Sequence, residues 1–133
     1  MELIYRASKD GATSKDFHNK CDNKGPTICL YKNDKGNIFG GYASISWDSN
    51  GGYRSAPDSF LFTLTNIHNT QPTKFPNTNS NYSLYCNINF GPTFGGGHDI
   101  YILTDFINND HASGFPHSYK DDLGKKYSIF SGQ

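Results

Sequence analysis

Apolar positions along this chain recur mostly every second residue, in short runs separated by Gly, Pro, Asn and Asp. In 27–32, Ile28 and Leu30 fall on one face and Cys29 and Tyr31 on the other. Both faces are apolar, which predicts a central strand. Asn33-Asp34-Lys35-Gly36 predicts a hairpin turn, with Gly36 where positive φ is most needed. Residues 37–46 then return as the partner strand, carrying Ile38, Phe39, Tyr42 and Ile45. Gly40-Gly41 within it predicts a bulge or a close backbone approach. The run 60–64 predicts a buried strand, and Tyr82, Leu84, Cys86, Ile88 and Phe90 keep a clean period of two. Residues 3–6, 99–103 and a run starting at Tyr127 add further short strands.

One segment has helical spacing. Thr13 can cap it, Asp16 at the third helical position completes a capping box, and Phe17 and Cys21 lie four apart on one face. Gly25-Pro26 stops it. Residues 55–58 predict one further helical turn, 48–54 a glycine-rich turn, and 71–81 and 108–126 polar loops. One Glu, ten Phe, nine Tyr and fourteen Gly make the composition poor in helix formers and rich in strand and turn formers. The expected fold is mainly β (α+β): a two-sheet antiparallel β-sandwich with one or two short helices. At 133 residues it forms a single domain with its own core.

Twelve basic and twelve acidic side chains balance, without the basic stripe that nucleic-acid binding needs. No apolar run reaches membrane-spanning length and the start lacks signal-peptide features, so a cytoplasmic protein without membrane insertion is expected. Cys21, Cys29 and Cys86, odd in number and without CxxC spacing, fit a reducing compartment.

The segment Gly91-Pro92-Thr93-Phe94-Gly95-Gly96-Gly97-His98-Asp99-Ile100-Tyr101-Ile102 carries the sharpest local signal. A phosphate loop needs a helix behind its glycines, whereas a strand is predicted here, so a structural turn is the better reading. His98 and Asp99 cannot form a general-base dyad if they alternate on a strand. The histidines His18, His68, His111 and His117 are read as surface or loop residues, without HxxxH or His-x-x-x-Asp metal spacing, and no metal or cofactor is expected. Cys21 sits near a helix C-terminus, where the dipole opposes a thiolate, and is read as a packing residue before a redox thiol. Trp47 through Arg54 is a glycine-hinged loop carrying Trp47, Tyr53 and Arg54, residue types enriched in interface hot spots. A loop pinned by a buried Trp is the equal alternative.

Residues 3–11, Ser14-Lys15-Asp16-Phe17-His18, 21–27, Ile38-Phe39-Gly40-Gly41-Tyr42 with Trp47, Gly52-Tyr53, 58–64 and Gly91 to Ile102 resemble, in order, the blocks of a TLDc domain. The resemblance implies a two-sheet sandwich, no enzyme activity and no cofactor. It also implies a link to oxidative-stress resistance and a protein partner, the peripheral sector of the vacuolar-type proton-pumping ATPase. The expected entity is a monomeric TLDc-like domain over 1–133 lacking the family's C-terminal closing strand. Trp47, Tyr53, Arg54, His98 and Asp99 are the candidate partner-binding residues. An adaptor domain with another partner, or a Cys21-based redox enzyme, are the alternatives.

Overall fold

A reciprocal cap opens the longest helix. Thr13 Oγ1 accepts from the Asp16 amide and the Asp16 carboxylate accepts from the Thr13 amide, both at 3.2 Å. Helix α2 (Ser14–Cys21) follows as the sequence predicts, with Phe17 and Cys21 on its buried face. The computed structural model describes residues 2–33, 35–101 and 115–131. Before α2 stands a short helix, α1 (Ala7–Asp10), which the polar sequence there did not suggest. Residues 3–6 join no sheet among the described residues, contrary to the strand expected of them.

Among the described residues six strands follow: β1 (Thr27–Lys32), β2 (Ile38–Ala43), β3 (Asn50–Arg54), β4 (Phe60–Thr65), β5 (Thr73–Pro76) and β6 (Leu84–Asn87). They form two antiparallel sheets, ordered β1-β2-β4-β5 and β3-β6. The mainly-β, two-sheet expectation therefore holds. In the β1–β2 hairpin β1 has the predicted limits, β2 stops at Ala43 rather than continuing to Ser46, and Gly36 takes φ +83° in the turn. However, among the described strands β1 lies at the edge: Ile28 and Leu30 are exposed, while Cys29 and Tyr31 pack on the core. A doubly apolar strand had suggested a central position. The glycine pair in β2 marks a close approach, since a Cβ on Gly41 would come within 2.5 Å of the Phe94 ring. The bulge expected at that pair lies instead between Ile38 and Phe39, in the register with β4.

Five segments differ from their sequence patterns. β3 arises in the glycine-rich turn because Tyr53 and Arg54 pair with Tyr85 and Leu84 of β6, a register irregularity absorbing the intervening residues. β5 arises in a predicted loop because Phe75 is fully buried opposite Leu61, while Pro76 ends an edge strand, where a missing amide costs least. The run at Tyr127 is not a strand: α3 (Ser128–Ser131) buries Ile129 and Phe130. The predicted strand at 99–103 reduces to a Phe94–Ile100 bridge within the described residues, and 102–103 lie outside them. Residues 55–58 form a turn closed by Ser59 N to Ala56 O, 2.9 Å, and not a helix.

The core joins both sheets. Phe39 and Phe75 of the larger sheet pack on Phe130 at 5.3 and 5.6 Å between ring centres. Leu84 and Cys86 of the smaller one join the same cluster with Trp47, Phe94, Phe115 and Tyr119. No helix among the described residues is long and apolar enough to cross a membrane.

Candidate functional site

The three glycines form a turn, Gly95 to His98, closed by the His98 amide donating to Gly95 O at 3.1 Å. Each glycine sits where a side chain would collide: Gly95 against the Asp99 carboxylate, Gly96 against Tyr82 and Gly97 against the His117 ring. Gly95 has φ +91°, a conformation in which only glycine is unstrained. No helix follows among the described residues 99–101, so no helix N-terminus there stands directly behind the turn.

The amide cradle lies elsewhere and is filled by the chain itself. The fully buried Asp99 carboxylate accepts from the amides of His117 (2.7 Å), Ser118 (3.1 Å) and Tyr119 (3.2 Å). Burial raises the Asp99 carboxyl above its ordinary value, and these three amides pull it back. The arrangement ties the turn to the segment 117–119, where the Ser118 hydroxyl in turn accepts from Gly96 N at 2.8 Å.

His98 points the other way. Its backbone is left-handed (φ +52°) within the turn, not extended, so the premise of an alternating strand does not apply. The two side chains still diverge and form no dyad. The His98 ring stacks on Tyr85 at 5.1 Å, meets Phe90 and Tyr101 edge-on at 5.5 and 5.4 Å, and lies 6.4 Å from Tyr53. Tyr53 and Tyr85 are cross-strand partners 4.8 Å apart, and Tyr82 caps Tyr53 at 5.0 Å. Tyr82 is 43% exposed and the other five rings are half-buried, so six rings form one partly open aromatic face on the β3–β6 sheet. The Tyr53 hydroxyl donates to Gly96 O at 3.2 Å and lies 3.4 Å from His98 Nε2, which fastens the face to the turn. Burial lowers the His98 imidazole below its ordinary value, so it is neutral at pH 7. Burial, then Tyr85 and Tyr82, raise the Tyr53 hydroxyl, which stays a neutral donor. The face is therefore aromatic, uncharged and suited to stacking, with tyrosine hydroxyls as polar handles.

The remaining candidates hold the framework. Trp47 has no exposed surface: its indole donates to Thr27 Oγ1 at 3.0 Å and packs edge-on to Phe94 at 5.4 Å. Of its two readings, the pinned loop is the one observed. Arg54 forms a two-point pair with Asp48, Nε to Oδ2 at 2.9 Å and Nη2 to Oδ1 at 2.8 Å, and also donates to Gly51 O at 3.2 Å. Desolvation opposes the Asp48 charge, but Arg54 and the Asn50 amide outweigh it and hold the carboxyl below its usual range. Arg54 thus shapes the β3 loop next to Tyr53. Tyr82, Tyr85, Phe90 and Tyr101 were not singled out from the sequence. The signals were the alternating run 82–90 for the first three and the expected strand 99–103 for Tyr101, neither of which marks a surface.

His18 corrects another expectation. It is 3% exposed and stands four residues before Asp22, the His-x-x-x-Asp spacing taken as missing. Nδ1 lies 2.6 Å from Asp22 Oδ1, and Nε2 lies 2.9 Å from both Asn87 O and Phe90 O. Both ring nitrogens are occupied, so His18 pins α2 to the turn after β6. Among the described residues no group of three potential metal ligands converges. Burial pushes the Cys21 and Cys29 thiols up to about 12 and Cys86 up to about 11, far from the thiolate that redox chemistry requires.

The family model described as "TLDc domain" matches residues 1–132. A zebrafish (Danio rerio) protein named MTOR-associated protein MEAK7 is 31% identical over 62 residues, 47% of this chain and 14% of that protein. The chain thus corresponds to a small part of that relative's length. A family match over nearly every residue, on two antiparallel sheets and a glycine turn of this build, makes the assignment: this chain belongs to the TLDc domain family.

Proposed function

We propose that this chain is a non-catalytic protein-interaction domain, one TLDc-like unit over 1–133, that engages its partner through the Tyr53–His98 aromatic face. The observation that carries the reading is the face itself. Six neighbouring rings remain partly open to solvent although the domain has a separate, closed aromatic core. Aromatic anchors of this kind dominate binding energy at interfaces. The raised thiols and the occupied His18 and Asp99 argue against catalysis at those residues.

The partner we assign is the peripheral sector of the vacuolar-type ATPase, in the cytoplasm, with a link to oxidative-stress resistance. Family membership supports this. The test is retention of the wild-type chain on the assembled peripheral sector at micromolar concentration, together with its effect on ATP hydrolysis. No retention would refute the assignment. Peroxide consumption by wild type and Cys21→Ser should be equally negligible, and a Cys21-dependent rate would restore the redox reading.

A second reading has its own support. The match covers 14% of the zebrafish relative, whose name associates it with MTOR. This fits an adaptor unit within a larger protein whose partner is not the ATPase. Retention on an MTOR-containing complex without retention on the ATPase would select it.

A further inference from the structure

The β3–β6 sheet is loosely fastened where β3 begins. Asn50 pairs with Asn87, but the register then passes to Tyr53–Tyr85, so Gly51 and Gly52 have no counterpart on β6. Both glycines take positive φ, +85° and +101°. Asn50 is exposed, and its amide donates to Asp48 Oδ1 at 2.9 Å. A Cβ placed on Gly51 would meet nothing within 4 Å, so the peptide between the two residues stands in open space on that side. Of the asparagines in the chain, Asn50 alone precedes a glycine.

We infer that Asn50-Gly51 is a site of spontaneous deamidation, at which water converts Asn50 to aspartate or isoaspartate and loosens the start of β3. The Gly51 nitrogen gives its proton to solvent base and attacks Asn50 Cγ. A C–N bond forms there, the Cγ–Nδ2 bond breaks, and ammonia leaves a five-membered imide behind. Water then opens the imide at one of its two carbonyls. Opening at Cγ yields aspartate. Opening at the backbone carbonyl yields isoaspartate, whose main chain runs through Cγ and is longer by one methylene. Glycine favours the attack because it has no side chain to crowd the nitrogen. Extended backbone at Asn50 holds Cγ away from that nitrogen, so the strand must first open. Only the isolated Asn50–Asn87 step has to part, at the end of a sheet of two described strands, where local opening is least costly.

Either product adds a carboxylate two residues from Asp48. The Asp48 oxygens already hold Arg54 at 2.9 and 2.8 Å as well as the residue-50 amide. The new charge repels Asp48 and competes for Arg54, and the extra methylene of isoaspartate displaces residue 50 from Asn87. Neither the reaction nor its effect on the sheet involves a partner, so the inference stands independently of the function proposed above.

The test incubates the folded full chain in mildly alkaline buffer. Mass spectrometry locates each converted residue, and methyl acceptance from an isoaspartyl methyltransferase reports isoaspartate. Conversion at Asn50 should be at least tenfold faster than at Asn23, which is also exposed but precedes Lys24. It should accelerate with pH, because the attacking nitrogen must lose its proton. Asn50→Gln, which would need a larger ring, should lose most of the methyl acceptance. In the converted fraction, amide exchange at Tyr53, Arg54, Leu84 and Tyr85 should quicken at least threefold, while exchange in β1 and β2 stays within twofold. The inference is overturned by equal conversion at Asn50 and Asn23, by undiminished methyl acceptance in Asn50→Gln, or by unchanged exchange in the converted fraction. Conversion that occurs only in urea would also overturn it, since the folded strand would then never open to the reaction.

Discussion

Asp99 and His98 are neighbours in one turn and have opposite roles. Asp99 is sealed inside, its oxygens taken by three consecutive backbone amides. His98 turns outward, and its contacts are with rings that remain partly open. A buried carboxylate that three backbone amides hold reports architecture. A side chain held in place but not covered reports a surface available to a partner. The glycines make the division possible by letting the turn press on Asp99, Tyr82 and His117 at once.

The sharpest break of this contrast is Asp99→Ala. It leaves the buried amides of Ser118 and Tyr119 without an acceptor, while the amide at the exposed His117 position can regain water. Each of the two buried orphans costs roughly 1–3 kcal/mol, so urea unfolding should show a loss of about 2–6 kcal/mol. A loss below about 1 kcal/mol would mean that the cradle is not structural. Gly95→Ala ranks next, at about 1–3 kcal/mol, because a left-handed backbone and a collision with the Asp99 carboxylate add together. Gly124→Ala has φ +69° but open space around it, and isolates the backbone share at about 1 kcal/mol. If the two variants unfold alike, the collision contributes nothing.

On the outward side, stability effects should be smaller and binding effects larger. Tyr53→Ala removes the contacts to Tyr82 and Tyr85 and should cost about 1–2 kcal/mol. It should nonetheless weaken partner retention at least tenfold, whereas Gly124→Ala should not change it. The smallest effect concerns pH. His98 titrates below its unfolded value of about 6.5. The stability tied to its neutral form is therefore complete above that value and is lost as pH falls through the lower folded value. An NMR titration of the imidazole checks this, and a midpoint above 6.5 would contradict the burial that sets it.

Local rules carried the reading of the sequence where they act alone. The Thr13–Asp16 cap and the β1–β2 hairpin depend on residues near in the chain, and both form where expected, with β2 three residues shorter at its end. β3 and β5 were hidden because Gly51-Gly52 and Pro72 and Pro76 signal turns, while long-range pairing with β6 and β4 decides the outcome. α3 was read as a strand because four residues cannot display a helical period. The edge position of β1 among the described strands was illegible for a related reason: apolar residues on both faces usually mark a central strand. At the candidate site, Tyr53 and His98 stood out by type and neighbourhood. Their companions did not, because Tyr82, Tyr85, Phe90 and Tyr101 meet them only through the β3–β6 pairing and the glycine turn. Trp47 and Asp99 stood out equally, and only burial separates them from the surface.

The central claim is that the outward side binds and the inward side supports. Retention on the immobilised peripheral sector of the ATPase, measured for wild type and Tyr53→Ala at equal folded concentration, tests it most directly. The account predicts that wild type is retained and folded Tyr53→Ala is not. Equal retention of the two, or none for wild type, would contradict it.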